Sequence, residues 1–200
     1  MKEDENNSMV GRQSRNPRFL ICDTTGNMDG LAPAEEIWVS SPIQCLDKTV
    51  DEAPELIIIC FGQISIKERE ALVELCAALK RNRHTRHYPV VAMISGKQRI
   101  LLESLNRAGV DFVRYIGEMT LDSMQLRKFI DNLGSDDRLE RHLTALCPFL
   151  HYSEIDSRHE LTMCGAYLDR MILGGRWLHD ICETQSHLHC EYYLNPRIKS

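Results

Sequence analysis

Residues 55–61 (ELIIICF) constrain the fold of this chain more than any other stretch. The run is apolar without alternation, rich in isoleucine and only strand length, which is the pattern of a strand covered on both faces. Such a strand belongs in the middle of a parallel sheet, and a parallel sheet needs crossover helices between its strands. The rest of the chain supplies both. Residues 18–22 (RFLIC), 36–40 (EIWVS), 90–94 (VVAMI) and 110–116 (VDFVRYI) are further short apolar runs of strand type.

Between the strands the spacing changes to that of helices. Residues 42–53 begin on a proline and carry Ile43, Leu46 and Val50 at helical intervals. Residues 66–80 repeat Ala71, Leu72, Leu75, Cys76, Ala78 and Leu79, leaving Lys67, Glu68, Arg69 and Glu70 for water. Residues 98–107 with Gly109 read as a helix closed by a left-handed cap. Thr120 is expected to cap a last helix, with Asp122 and Ser123 in its first turn and Met124, Leu126, Phe129 and Ile130 as its apolar residues up to Gly134. Residues 23–35 hold two glycines and a proline and look too broken for a good helix.

Strands alternating with helices predict an α/β fold with right-handed crossovers. At 200 residues the chain has room for one such domain and a small appended module. Residues 1–17 are polar and read as a disordered arm, 18–134 as the α/β domain and 135–200 as the module. A net charge of −5 without a basic stripe or helix-turn-helix speaks against nucleic acid as a partner. No apolar run approaches the roughly 20 residues that cross a bilayer, so a soluble, cytoplasmic protein without membrane insertion is expected.

The order and spacing of these elements resemble the receiver domain of response regulators, a flavodoxin-like fold with a five-stranded parallel sheet and helices on both faces. PELIIIC is similar to that family's third strand, YPVVAMIS to its fourth and AGVDFVRYI to the approach to its fifth; the likeness covers residues 18–134. The resemblance implies an acidic pair after the first strand that holds magnesium, and here only Asp23 is available. It implies a phosphoryl-accepting aspartate at the end of the third strand, where this chain has Cys60. Ser95 matches the family's hydroxyl residue, whereas its lysine and proline after the fifth strand have no counterpart in Arg114, Tyr115 and Ile116. Asp23, Cys60 and Ser95 therefore read as a degenerate phosphorylation site. A receiver without phosphate chemistry keeps its surface, which implies docking to another protein or pairing into a homodimer.

Eight cysteines in a chain without a secretory signal point to reduced thiols or metal ligands. Cys22, Cys45, Cys60 and Cys76 lie in apolar stretches and read as small buried hydrophobes. Cys147, Cys164, Cys182 and Cys190 fall in the last 54 residues with His151, His159, His179, His187 and His189. Four thiolates can close a tetrahedral metal site or hold a cubane. Their gaps of 16, 17 and 7 residues lack the close pairs typical of structural zinc and favour an iron-sulfur cluster, 4Fe-4S in type, with zinc as the alternative. Simple packing against the first domain and disulfides remain open. The segment is similar to a recurring pattern of bacterial and archaeal proteins presumed to hold an iron-sulfur cluster or metal, matched by Cys147, Pro148, Phe149, Cys164, Ala166, Cys182, Thr184, Cys190 and Tyr193.

A small helical module is expected around these cysteines, with Thr184 capping a helix over 184–192 and Gly174 and Gly175 turning the chain back. His187 or His189 is best placed to replace a cysteine. Tyr167 and Trp177 should pack around the site, and Arg158, Glu160, Asp169 and Arg170 should form a solvated face. The reading is a non-catalytic regulatory or adaptor protein of signal-transduction type; the alternative is an iron-sulfur electron-transfer or accessory subunit of a redox complex. An enzyme would need Cys60 as nucleophile with His84 or His87 as base, which no spacing supports.

Overall fold

The computed structural model describes residues 18–25, 35–62, 64–117, 123–168 and 171–197. Its centre is a five-stranded, all-parallel sheet of β1 (Phe19–Cys22), β2 (Glu36–Val39), β3 (Leu56–Phe61), β4 (Val90–Ile94) and β5 (Phe112–Tyr115). The strand order is β2-β1-β3-β4-β5, which is the flavodoxin-like order. Every residue of β3 is buried, as its unbroken apolar run requires.

The pleat divides the core in two. Leu20 and Cys22, Ile57, Ile59 and Phe61, and Val90, Ala92 and Ile94 face one side. There they meet α1 (Pro42–Glu52), α2 (Ile66–Arg81) and α3 (Arg99–Ala108). Phe19, Ile21, Ile58, Cys60, Val91 and Met93 face the other side, packed against Leu126, Phe129 and Ile130 of α4 (Ser123–Asp131). Helices thus lie on both faces. The expected cap at Thr120 and the broken connector over 26–34 lie outside the described residues, as does the arm over 1–17.

The helix ends carry the signals their sequences suggest. Ser65 and Glu68 form a reciprocal capping box at the start of α2. Gly109, at a φ of 83°, closes α3 in the left-handed region. One face assignment is corrected. On α1 the buried residues are Cys45 and Thr49, while Ile43 and Val50 are 73% and 59% exposed. The short connections on either side of α1 set its rotation, and Thr49 is tolerated inside because its hydroxyl donates to the Cys45 carbonyl at 2.7 Å.

Beyond α4 the chain wraps over the β5 edge. Phe112 pairs with Arg138 in an isolated antiparallel bridge, and Arg114 forms an ion pair with the buried Asp137. This covers a strand edge that would otherwise be open. α5 (Leu139–Ala145) then packs on α3 and β5. The remainder is not the helical module expected. It begins with an antiparallel hairpin of β6 (Leu150–Glu154) and β7 (Glu160–Cys164), in which Leu150 is paired with Cys164. A π-helical turn (Trp177–Cys182), a 3-10 turn (Gln185–His189) and α6 (Glu191–Leu194) follow. Leu139, Leu146, Leu150 and Leu173 belong to the same hydrophobic cluster as the sheet. The core therefore crosses the 134/135 position.

Candidate functional site

The two groups of residues singled out in the sequence lie at different places in the fold. The first lies at the carboxyl end of the sheet. Asp23 directly follows β1, and its carboxylate accepts from the Thr25 amide at 2.9 Å and the Thr25 hydroxyl at 2.6 Å. Cys60 sits next to the last residue of β3, 5% exposed, and its thiol is pushed well above the usual range by burial and by the neighbouring Asp23 carboxylate. Ser95, after β4, is exposed. A neutral, buried thiol offers no hard oxygen ligand for magnesium and forms no acyl phosphate. His84 and His87 precede β4 and so lie at the amino end of the sheet, a strand length from Cys60, which removes the nucleophile-base pairing.

The first-half cysteines are buried throughout. The Cys45 thiol is raised strongly by its hydrogen bond with Cys22 and by burial. Cys76 is raised by burial and by Cys22. The thiols of Cys22, Cys45 and Cys76 thus meet in the core beside β1.

The second group is the C-terminal cysteines. Cys147 precedes β6, Cys164 ends β7, Cys182 ends the π-helical turn and Cys190 joins the 3-10 turn to α6. Cys147, Cys164 and Cys182 are buried and Cys190 is partly exposed. The Cys147 amide donates to the Cys182 carbonyl at 2.8 Å, which joins the two ends of the segment. Burial first, then the charges of Cys147, Cys164 and Cys190, push the Cys182 thiol up to about 12. The Cys147 thiol is raised mainly by burial, with smaller contributions from Cys164 and Cys190, while Arg99 acts in the opposite direction. Cys147, Cys164 and Cys182 thus belong to one hydrophobic cluster, and Cys190 lies near enough to act on Cys147 and Cys182 electrostatically. Among the described residues no three or more His, Cys, Asp or Glu side chains converge closely enough to hold a metal ion.

Each of the surrounding motif residues has a local task. Phe149 packs edge-on against Tyr193 with ring centres 6.0 Å apart, and Tyr193 in turn meets His187 at 5.2 Å. The Ala166 carbonyl accepts from the Arg197 amide at 2.7 Å, and Thr184 caps the 3-10 turn through the Ser186 amide at 3.2 Å. His187 is buried with Nδ1 against the Thr184 carbonyl at 2.6 Å, whereas His189 is exposed. A backbone carbonyl on Nδ1 leaves Nε2 as the free nitrogen, the arrangement of an oriented imidazole.

Several expected roles change. Trp177 is 49% exposed and does not wall the site, while Tyr167 packs against Tyr192 at 4.9 Å. Glu160 is not on a solvated face: Arg69 binds it at 2.7 Å and 3.0 Å, with side-chain exposures of 16% and 12%. Asp169 and Arg170 lie outside the described residues. Arg99, not singled out in the sequence, donates from Nη1 to the Leu143 and Leu146 carbonyls at 3.2 Å and 2.9 Å. It fixes the chain just before Cys147. Its spacing on a surface helix gives no hint of that role.

No protein-family model matches the chain, and no curated protein is significantly similar to it. Among solved structures it is similar to a response regulator from Desulfuromonas acetoxidans, at 18% identity and a TM-score of 0.39, covering 57% of this chain and 93% of that one. It is also similar to the N-terminal domain of a response regulator receiver protein from Methanoculleus marisnigri JR1, at 16% identity and a TM-score of 0.37, covering 58% of this chain and 95% of that one. The class defined by the chain's own topology is a flavodoxin-like α/β domain with a cysteine-bearing C-terminal extension.

Proposed function

We propose that this protein is a non-catalytic regulatory or adaptor protein whose receiver-like part, residues 18–134, takes up no phosphate, and whose extension, residues 135–200, holds an iron-sulfur cluster through Cys147, Cys164, Cys182 and Cys190. The observation that carries the reading is the burial of Cys147, Cys164 and Cys182 in the hydrophobic cluster of the sheet domain, with the Cys147 amide bonded to the Cys182 carbonyl at 2.8 Å and the partly exposed Cys190 one short turn further on. A tetrahedral zinc site with bonds of about 2.3 Å needs thiolates roughly 3.8 Å apart. A cubane, whose cysteine sulfurs stand farther apart than those of a mononuclear zinc site, is the centre proposed for this donor set. The donor set is soft, Cys147, Cys164 and Cys182 lie among apolar neighbours, and His187 or His189 could stand in for one thiol. When bound, such a cluster supplies one-electron redox chemistry or a structural staple.

The pairing of Cys60 with Asp23 supports the loss of phosphorylation, because the carboxylate is committed to Thr25 and the thiol stays protonated. What then remains is a surface for another protein. Iron and acid-labile sulfide analysis of protein purified without oxygen tests the cluster. Close to four irons and four sulfides per chain, lost on substitution of each cysteine by serine, is the expected result. A colourless protein with stoichiometric zinc removes the cluster, and metal-free protein that keeps its full stability removes both centres.

A further inference from the structure

The hairpin tip and the carboxyl end of the sheet line a cavity of about 450 Å³ that reaches Ser95 but neither Asp23 nor Cys60. Its volume is within the range of small-molecule sites. We propose that it binds a small organic anion, one carboxylate or phosphate monoester head on a short apolar body. The body is accommodated by Phe61, Ile64, Ile66 and Leu101, which line the side toward α2 and α3. The head is accommodated by Arg158, which has no ion-pair partner among the described residues, and by Ser95 and Gly96 beyond β4. Ser95 is exposed, and no atom lies within 4 Å of where a Cβ on Gly96 would stand, so a ligand can approach that backbone closely.

The other charges at the cavity are already committed. Arg69 is held in two places by Glu160, and Gln98 completes that triad by donating to Glu160 at 3.1 Å. The His159 ring lies 2.8 Å from the Asp156 carboxylate, and Glu68 is occupied by the Ser65 amide and hydroxyl at 2.8 Å and 2.7 Å. Arg158 makes no ion pair among the described residues and meets only the Glu68 carboxylate at longer range, so its guanidinium is the group at the cavity that favours an anionic head. Both parts of the chain contribute: the tip supplies Arg158 through Glu160, and the Ser157 carbonyl accepts from the Ile66 amide at 2.9 Å. Occupation therefore stabilises the docking of the hairpin on the sheet.

The test is a nuclear magnetic resonance titration of the full-length chain with benzoate, phenyl phosphate and, as the cationic control, benzylamine. Saturable shifts of the Ser95, Gly96 and Arg158 amides with the two anions and none with benzylamine are expected, and the stronger anion names the head group. Arg158→Glu should weaken binding about tenfold or more, the effect of one charge-assisted contact. It should leave the remaining spectrum in place, because Arg158 is exposed. Gly96→Val should block the same probes by filling the mouth. Binding of benzylamine as tight as benzoate, unsaturable shifts, or equal affinity in Arg158→Glu would overturn the proposal. The titration is run on metal-free protein as well, so the outcome is independent of the cluster.

Discussion

Arg69 of α2 and Glu160 of β7, 91 residues apart, form a two-point ion pair at 2.7 Å and 3.0 Å that fastens the C-terminal hairpin to the sheet domain. Both side chains are largely withdrawn from water, and Gln98 supplies a further partner. A planar guanidinium on a carboxylate fixes orientation as well as charge. The pair is therefore a latch rather than a surface contact.

Breaking the latch from one side leaves a charge in a place built for two. Glu160→Ala should cost about 1.5–3 kcal/mol, with a lower urea midpoint and faster amide exchange at Ile66, whose N–H is held by Ser157. The double variant Arg69→Met with Glu160→Met should recover much of that loss, since no charge is then stranded. Equal stability of the Glu160→Ala variant and the parent would reduce the pair to decoration.

Cys60 makes a second expectation. The wild-type chain incubated with acetyl phosphate and magnesium should carry no acyl phosphate by mass spectrometry, because the thiol is protonated and Asp23 is bound by Thr25. Cys60→Asp places a carboxyl in the same 5% exposed position beside Asp23. Burial and like charge should hold that carboxyl neutral around pH 7 and lower stability. Stoichiometric labelling of the wild type would contradict the proposed loss of phosphate chemistry.

The sheet was legible because its strands are nearly pure apolar runs: LIIICF and VVAMI have no other stable place than a covered parallel sheet. The hairpin was harder. Its strands LHYSE and ELTMC are short and mixed in polarity, although Leu150 with Tyr152 and Leu161 with Met163 alternate on either side of an Asp156 turn. The extension that carries Cys147, Cys164, Cys182 and Cys190 was conspicuous from residue type and clustering alone. Its attachment was not, because Arg69, Glu160 and Arg99 carry ordinary surface residue types, and only the tertiary fold brings them to partners far along the chain. The buried face of α1 failed for a related reason: connections, not apolarity, chose Cys45 and Thr49 over Ile43 and Val50.

His142 should make stability sensitive to mild acid. Its ring stands edge-on to Tyr115 at 5.1 Å, and its buried Nε2 has no hydrogen-bond partner among the described residues. Burial lowers its pKa below the ordinary value of 6.5, and nearby Lys97 and Arg114 act in the same direction, while Asp137 and the Val113 carbonyl oppose them. A lowered value in the folded state means the unfolded chain binds the proton more readily. The stability linked to this group is complete above about pH 6.5 and is lost as the pH falls through the folded value. His142→Asn keeps a donor toward Val113 and removes the titration. Between pH 7.5 and 5.5 the wild-type urea midpoint should fall more steeply than that of the variant; parallel slopes would exclude His142 as the source.

The division of the chain at 134/135 can be tested by what its removal exposes. Leu139, Leu146 and Leu150 are each at least nine-tenths buried and belong to one cluster with Leu101, Leu102 and Leu105 of α3. Burying such a side chain contributes about 1.5–3 kcal/mol, so the three together match much of the roughly 5–15 kcal/mol that a domain has in total. The chain ending at Gly134 also loses Asp137 from Arg114 and uncovers the β5 edge at Phe112. It should keep strand and helix signals in circular dichroism yet unfold at a markedly lower denaturant concentration than the full chain, and bind a hydrophobic dye such as ANS. A fragment as stable as the whole would mean that the extension rests on the sheet domain without sharing its core, and the latch at Arg69 and Glu160 would then have little to hold closed.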